Sequence, residues 1–143
     1  MIKPLKFSIV TFVLLMLATW TTDVQAQGIE FFHGTFAEAQ QKAEKEGKLI
    51  FMDAYTTWCG PCRMMAKNAF PNPEVGAYFN KHFVNLKMDM EKGEGRTLGR
   101  KYRVVAYPSL FFLKPDGSVA HRAVGMKNAN QLIALGKQAE AKK

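Results

Sequence analysis

The chain has 143 residues, 48% of them hydrophobic and 22% charged, with a formal net charge of +8. That balance excludes a disordered polyelectrolyte and fits one globular domain. Only two cysteines occur in the whole sequence, which excludes a scaffold stapled by several disulfides, so the core has to hold the fold unaided.

The first segment, "MIKPLKFSIVTFVLLMLATWTTDVQAQ", opens with Lys3 and Lys6 and runs apolar from Phe7 to Trp20. Val24-Gln25-Ala26 then offers a small-residue cleavage site. This is the pattern of a secretory signal peptide over residues 1–26, with an apolar run short of the ~20 residues a membrane-spanning helix needs. An uncleaved N-terminal membrane anchor is the competing reading. Residues 27–143 then form the working domain, with a formal charge of +7. An exported protein rarely meets nucleic acid, and the basic residues are scattered apart from the tail "GKQAEAKK", so nucleic acid is set aside as a partner. A mild bias toward acidic partners or anionic surfaces remains.

A short strand is expected at Ile29–Phe32. "TFAE" from Thr35 is a capping box, and it predicts a helix carrying Phe36, Ala39 and Ala43 on one face, with Gly47 as its stop. "LIFMDAY", residues 49–55, is short and almost wholly apolar, as a strand covered on both faces should be. Cys62, Met65, Ala66, Ala69 and Phe70 then form an apolar helical stripe. Asn72 and Pro73 start another short helix. "FVNLKMD" alternates as a half-buried strand, and Glu91–Tyr102 is helical in part. "SLFFL" and "VAHRAV" form a hairpin around "KPDGS". A terminal helix follows from Asn128, with Leu132, Ile133 and Leu135 facing inward. This order implies an α/β fold, a mixed central sheet flanked by helices on both faces.

Both cysteines lie in "TTWCGPC", Cys59 and Cys62. At the start of a helix this spacing puts Cys59 where unpaired N–H groups and the helix dipole stabilise a thiolate. Cys62, on the apolar stripe, is expected inside. Pro61 falls in the first turn, where its missing N–H costs little. Zinc would need further ligands, and no second cysteine pair or spaced histidines supply them. Covalent haem would need a histidine where Arg63 stands. An iron–sulfur cluster would lack half its thiolates. A purely structural disulfide closing so short a loop adds little stability. No metal or cofactor is therefore expected. Dithiol–disulfide exchange is the chemistry left, with Cys59 attacking and Cys62 resolving.

"WCGPC" after an apolar strand and before a helix resembles the active site of the thioredoxin family, and the similarity runs from about Lys48 to the terminal helix. The resemblance implies a thioredoxin fold. It also implies that Asp53, six residues before Cys59, is a buried proton acceptor for Cys62; on its own residues Asp53 could simply end the strand in a polar turn. "VVAYPSLFFL" resembles the family's cis-proline loop, which makes Pro108 that proline, whereas trans is the general default. "AVGM" resembles a later loop at the site. Trp58, Gly60, Pro61, Ala106, Tyr107, Gly125 and Met126 then form a substrate-binding rim, although each could be an ordinary surface residue. The family's lysine near the buried acid is matched to Asn85, which puts ion-pair tuning of Asp53 in doubt. "KNAFPNPEVGAYFNKHFV" is similar to envelope relatives, including the C-terminal domain of transmembrane thiol reductases. The resemblance implies a periplasmic monomer whose partners are disulfide-containing client proteins and a membrane thiol electron donor. It leaves open reduction, oxidation or isomerisation of disulfides, or a non-catalytic binding module.

Overall fold

The computed structural model describes residues 27–143, so the expected leader at 1–26 lies outside the described residues. Thr35 starts the first helix, α1 (Phe36–Glu46), through the expected capping box. Its hydroxyl accepts from the Glu38 N–H, and the Glu38 carboxylate accepts from the Thr35 N–H at 2.7 Å. Gly47 closes the helix with φ 62, a left-handed conformation that glycine adopts without a Cβ clash. Strand β1 (Leu49–Tyr55) follows, buried along all but its last residue. Then come α2 (Gly60–Asn68), α3 (Pro73–His82) and β2 (Phe83–Asp89). The Asn72 side chain caps α3 by accepting from the Glu74 and Val75 N–H groups. A short α4 (Gly95–Lys101), β3 (Ser109–Leu113), β4 (Val119–Val124) and α5 (Ala129–Glu140) complete the order. The β3–β4 turn is held by Asp116, whose carboxylate accepts from the Ser118 N–H at 2.8 Å.

The sheet order is β2-β1-β3-β4. β1 pairs parallel with β2 and antiparallel with β3, and β3 pairs antiparallel with β4. The α/β expectation of a mixed sheet with helices on both faces therefore stands. Side chains alternate across the strands. Ile50, Met52 and Ala54 of β1 face the layer containing α1 and Leu98. Leu49 and Phe51 face the opposite layer, made by Met65 of α2, Phe79 of α3 and Leu132 of α5. In that second layer Phe51 lies edge-on to Phe79, with ring centroids 4.8 Å apart, and 5.3 Å from Phe112. Each fully buried phenylalanine contributes roughly 2–3 kcal/mol of transfer free energy.

The expected strand at Ile29–Phe32 does not form. The segment does run beside β2, with the Phe32 N–H donating to the Asn85 carbonyl at 2.7 Å. Its next partners are elsewhere: the Glu30 N–H donates to the Asn80 side chain and the Ile29 N–H to the Phe70 carbonyl. Asn80 has taken the place of a strand partner, so no ladder propagates. Gly76 lets the segment lie against α3, since a Cβ there would stand 2.0 Å from the Gln27 carbonyl oxygen.

Candidate active site

The site grows from the C-terminal end of β1. After Tyr55 the chain turns through Thr56, Thr57 and Trp58, and Cys59 becomes the N-cap of α2 with extended φ −71 and ψ 109. Its sulfur does what a serine or aspartate oxygen does at other caps: Sγ accepts from the Cys62 N–H at 3.1 Å. Cys59 and Cys62 are joined in a disulfide with their Cα atoms 5.3 Å apart. The Arg63 guanidinium donates to the Thr57 carbonyl at 3.0 Å and ties the loop to the helix. Cys62 is inside, as its place on the stripe predicts. Cys59 is equally covered, each being 3% exposed, which the sequence did not indicate. Once the bond is reduced, the N–H now aimed at Cys59 Sγ is placed to stabilise a thiolate there.

Asp53 is the fifth residue of β1 and points, like Phe51, toward the layer that contains α2. It is 1% exposed, and neither carboxylate oxygen has a hydrogen-bond partner. A polar strand end is thereby ruled out. Burial pushes its pKa up to about 7, and the Lys87 ammonium offsets part of that rise. The doubt over ion-pair tuning of Asp53 is answered by Lys87: in the parallel register Asp53 lies opposite Lys87, and Nζ stands 4.0 Å from Oδ2. Lys87 is held over the Tyr55 ring at 4.8 Å and the Phe70 ring at 5.6 Å. Asn85 is instead bonded to Asn80 and the Glu30 carbonyl. Asn85 and Lys87 share one face of β2, so alternation cannot choose between them; only the register does. Thr56, also buried and with an unpartnered hydroxyl, was not singled out in the sequence.

Pro108 follows a cis peptide bond, as the resemblance implied. Its carbonyl accepts from the Gly125 N–H at 2.8 Å, so the two loops matched to the family do meet. Gly125 takes φ 87, and the Ser109 hydroxyl donates to the Ala106 carbonyl at 2.8 Å. Trp58 is 62% exposed and lies edge-on to Tyr107, with ring centroids 5.8 Å apart. Its indole N–H donates to Glu91 at 3.0 Å. Pro61 and Ala106 are exposed and Gly60 is partly so. Met126, 56% exposed, lines a hollow of about 160 Å³ with Met64 and Asn68 beside α2. Glu91 and Val105, the latter 88% exposed, extend this surface and were missed. A span of 33 residues between Trp58 and Glu91 leaves no local signal of their bond. Among the described residues no cluster of three or more metal-ligating side chains occurs.

Comparison with known proteins gives this geometry a family. The model of the thioredoxin-like domain matches residues 36–140. A solution structure of a proposed disulphide-isomerase from Bacteroides thetaiotaomicron is 50% identical, with a TM-score of 0.72, over 83% of this chain and 98% of that one. A thioredoxin-like protein of Synechocystis is 32% identical over 68% of this chain and 88% of its own length. The thiol:disulfide interchange protein DsbD of Pseudomonas fluorescens is 31% identical over 66% of this chain, a stretch that spans 17% of that larger protein. With its fold, its matched residues and the cysteine pair at the head of α2 all in agreement, the chain belongs to the thioredoxin-like domain family and is a thioredoxin-family oxidoreductase.

Proposed function

We propose that this protein reduces disulfides of cell-envelope proteins by dithiol–disulfide exchange through Cys59 and Cys62. The observation that carries the reading is the Cys62 N–H donating to Cys59 Sγ at the N-terminus of α2. A sulfur so placed is a stabilised thiolate in the reduced protein. That thiolate attacks one sulfur of the client disulfide. The client S–S bond breaks, its first sulfur leaves as a thiolate that water protonates, and a mixed disulfide joins the client to Cys59. Asp53 then takes the Cys62 proton, which a carboxyl titrating near 7 can do at neutral pH. The Cys62 thiolate attacks Cys59 Sγ and the client's second sulfur departs. Two electrons have passed to the client, and the chain ends as the disulfide.

Pro108 anchors the loop against which the client backbone lies, with Trp58, Gly60, Pro61, Ala106, Tyr107, Gly125 and Met126 around it. The leader-like sequence of residues 1–26 supports action in the periplasm, and the proposal takes the protein as a monomer. A dithiol on a membrane protein re-reduces the pair. The Gly-Pro spacer favours the reducing direction, since thioredoxin itself stands at about −270 mV. The similarity to a proposed disulphide-isomerase favours a second reading, in which the reduced pair reshuffles wrong disulfides.

Insulin reduction by the wild type and by Cys59→Ser tests the catalytic reading: activity is expected only with Cys59, and equal activity removes it. Titration against glutathione tests direction, because a potential near the −120 mV of the oxidant DsbA overturns the reductase assignment. Cys62→Ser is expected to hold clients on Cys59 as mixed disulfides.

A further inference from the structure

Beside the aromatic pair Trp58–Tyr107 lies a groove of about 800 Å³ between α4 and the chain leading to β3. Its lining combines the apolar Val105 and Tyr107 with Lys92, Arg96, Arg100 and Arg103. Lys92 meets Asp89 at 3.6 Å. Among the described residues no carboxylate stands within ion-pair distance of the three arginines. Arg96 donates to the Glu91 carbonyl at 2.6 Å and Arg100 to the Thr97 hydroxyl at 3.4 Å, so the contacts they make are to neutral groups. Glu91 is the one acid on the lining, and it is engaged by the Trp58 indole. Arg103 holds φ 50, a left-handed conformation that favours glycine or asparagine. A long cationic side chain thus sits where the backbone gains nothing from it.

We propose that this groove binds an acidic segment of the client polypeptide while its disulfide lies at Cys59–Cys62; the assignment rests on the exchange reading above. The groove shares Tyr107 with the rim that leads to the cis proline, so a chain held at that rim lies next to it. Guanidinium groups offer paired N–H donors that match a carboxylate in a plane. Val105 and Tyr107 offer apolar cover to the stems of the acidic side chains. The surface adjoins the Trp58–Tyr107 pair beside the cysteines, which favours a client polypeptide over an anionic lipid surface.

Two measurements separate the groove from the chemistry. Fluorescence anisotropy with labelled cysteine-free peptides, rich in glutamate, neutral or rich in lysine, reads docking alone. Reduction of disulfide peptides with the same three flanks reads exchange. At low ionic strength the glutamate peptides are expected to bind, and to be reduced, about tenfold better than neutral ones, and the preference fades as salt screens it. Arg96→Gln/Arg100→Gln/Arg103→Gln is expected to abolish the preference while the neutral peptide is reduced at the wild-type rate. Because Arg96 also ties down the Glu91 carbonyl, Arg100→Gln/Arg103→Gln is a second variant, expected to lose most of it. Exchange without any acidic preference, or a preference that survives both variants, overturns the groove. Acidic docking without exchange leaves the groove standing and removes the catalytic reading instead. Arginine-dependent binding to anionic phospholipid vesicles, with none to the glutamate peptide, overturns the polypeptide occupant in favour of a membrane surface.

Discussion

Replacing Asp53 with asparagine should stabilise the protein, and should do so more as the pH rises. The side chains are close in shape, so the comparison is between a group that can ionise and one that cannot. In the unfolded chain the carboxyl loses its proton above its ordinary 3.8; in the folded chain burial holds the proton until about 7. Between those values the folded state binds more protons, so wild-type stability falls as pH climbs through the window and levels off above it. At about 1.4 kcal/mol per tenfold in proton affinity, the full cost is about 4 kcal/mol. Urea unfolding of the oxidised protein from about pH 4 to about pH 9 measures it. The gap between variant and wild type should open from its acid value by about 4 kcal/mol and stop widening above neutrality. Using the change in the gap removes any constant contribution from the amide. Parallel curves across the range would refute the reasoning, because the buried carboxyl would then titrate as it does in the open chain.

Lys87→Met removes the charge that partly offsets burial, so Asp53 should hold its proton to higher pH, by up to about tenfold in affinity. The pH profile of mixed-disulfide resolution by Cys62 is the readout, and an unmoved profile counts against Lys87 as the tuning group. Phe51→Ala empties the centre of the ring cluster with Phe79 and Phe112, and should cost about 3–5 kcal/mol in urea unfolding. A loss under about 1 kcal/mol would mean that the layer closes around the hole.

Much of the fold could be read locally. The Thr35 capping box, Gly47 and the "KPDGS" turn each act within a few residues, and each sits where its chemistry demanded. So does the cysteine pair, because a three-residue separation at a helix start is a local geometry. What escaped was tertiary. Whether Asn85 or Lys87 opposes Asp53 depends on how two strands separated by two helices slide against each other. Ile29–Phe32 has the composition of a strand, yet Asn80 diverts its hydrogen bond. Glu91 meets Trp58 only because the fold brings the ends of β1 and β2 to the same edge.

The two halves of the site hang from strands of unequal standing. Asp53 belongs to β1, which is paired on both sides and covered on both faces, and Cys59 lies just beyond its end. Gly125 and Met126 follow β4, the half-exposed edge strand with a single neighbour. Local opening draws on the least protected segments first, so amide exchange should be fast around β4 while β1 stays among the slowest. The surface around Gly125 and Met126 can then breathe, and the paired sulfurs stay fixed in the most durable part of the molecule.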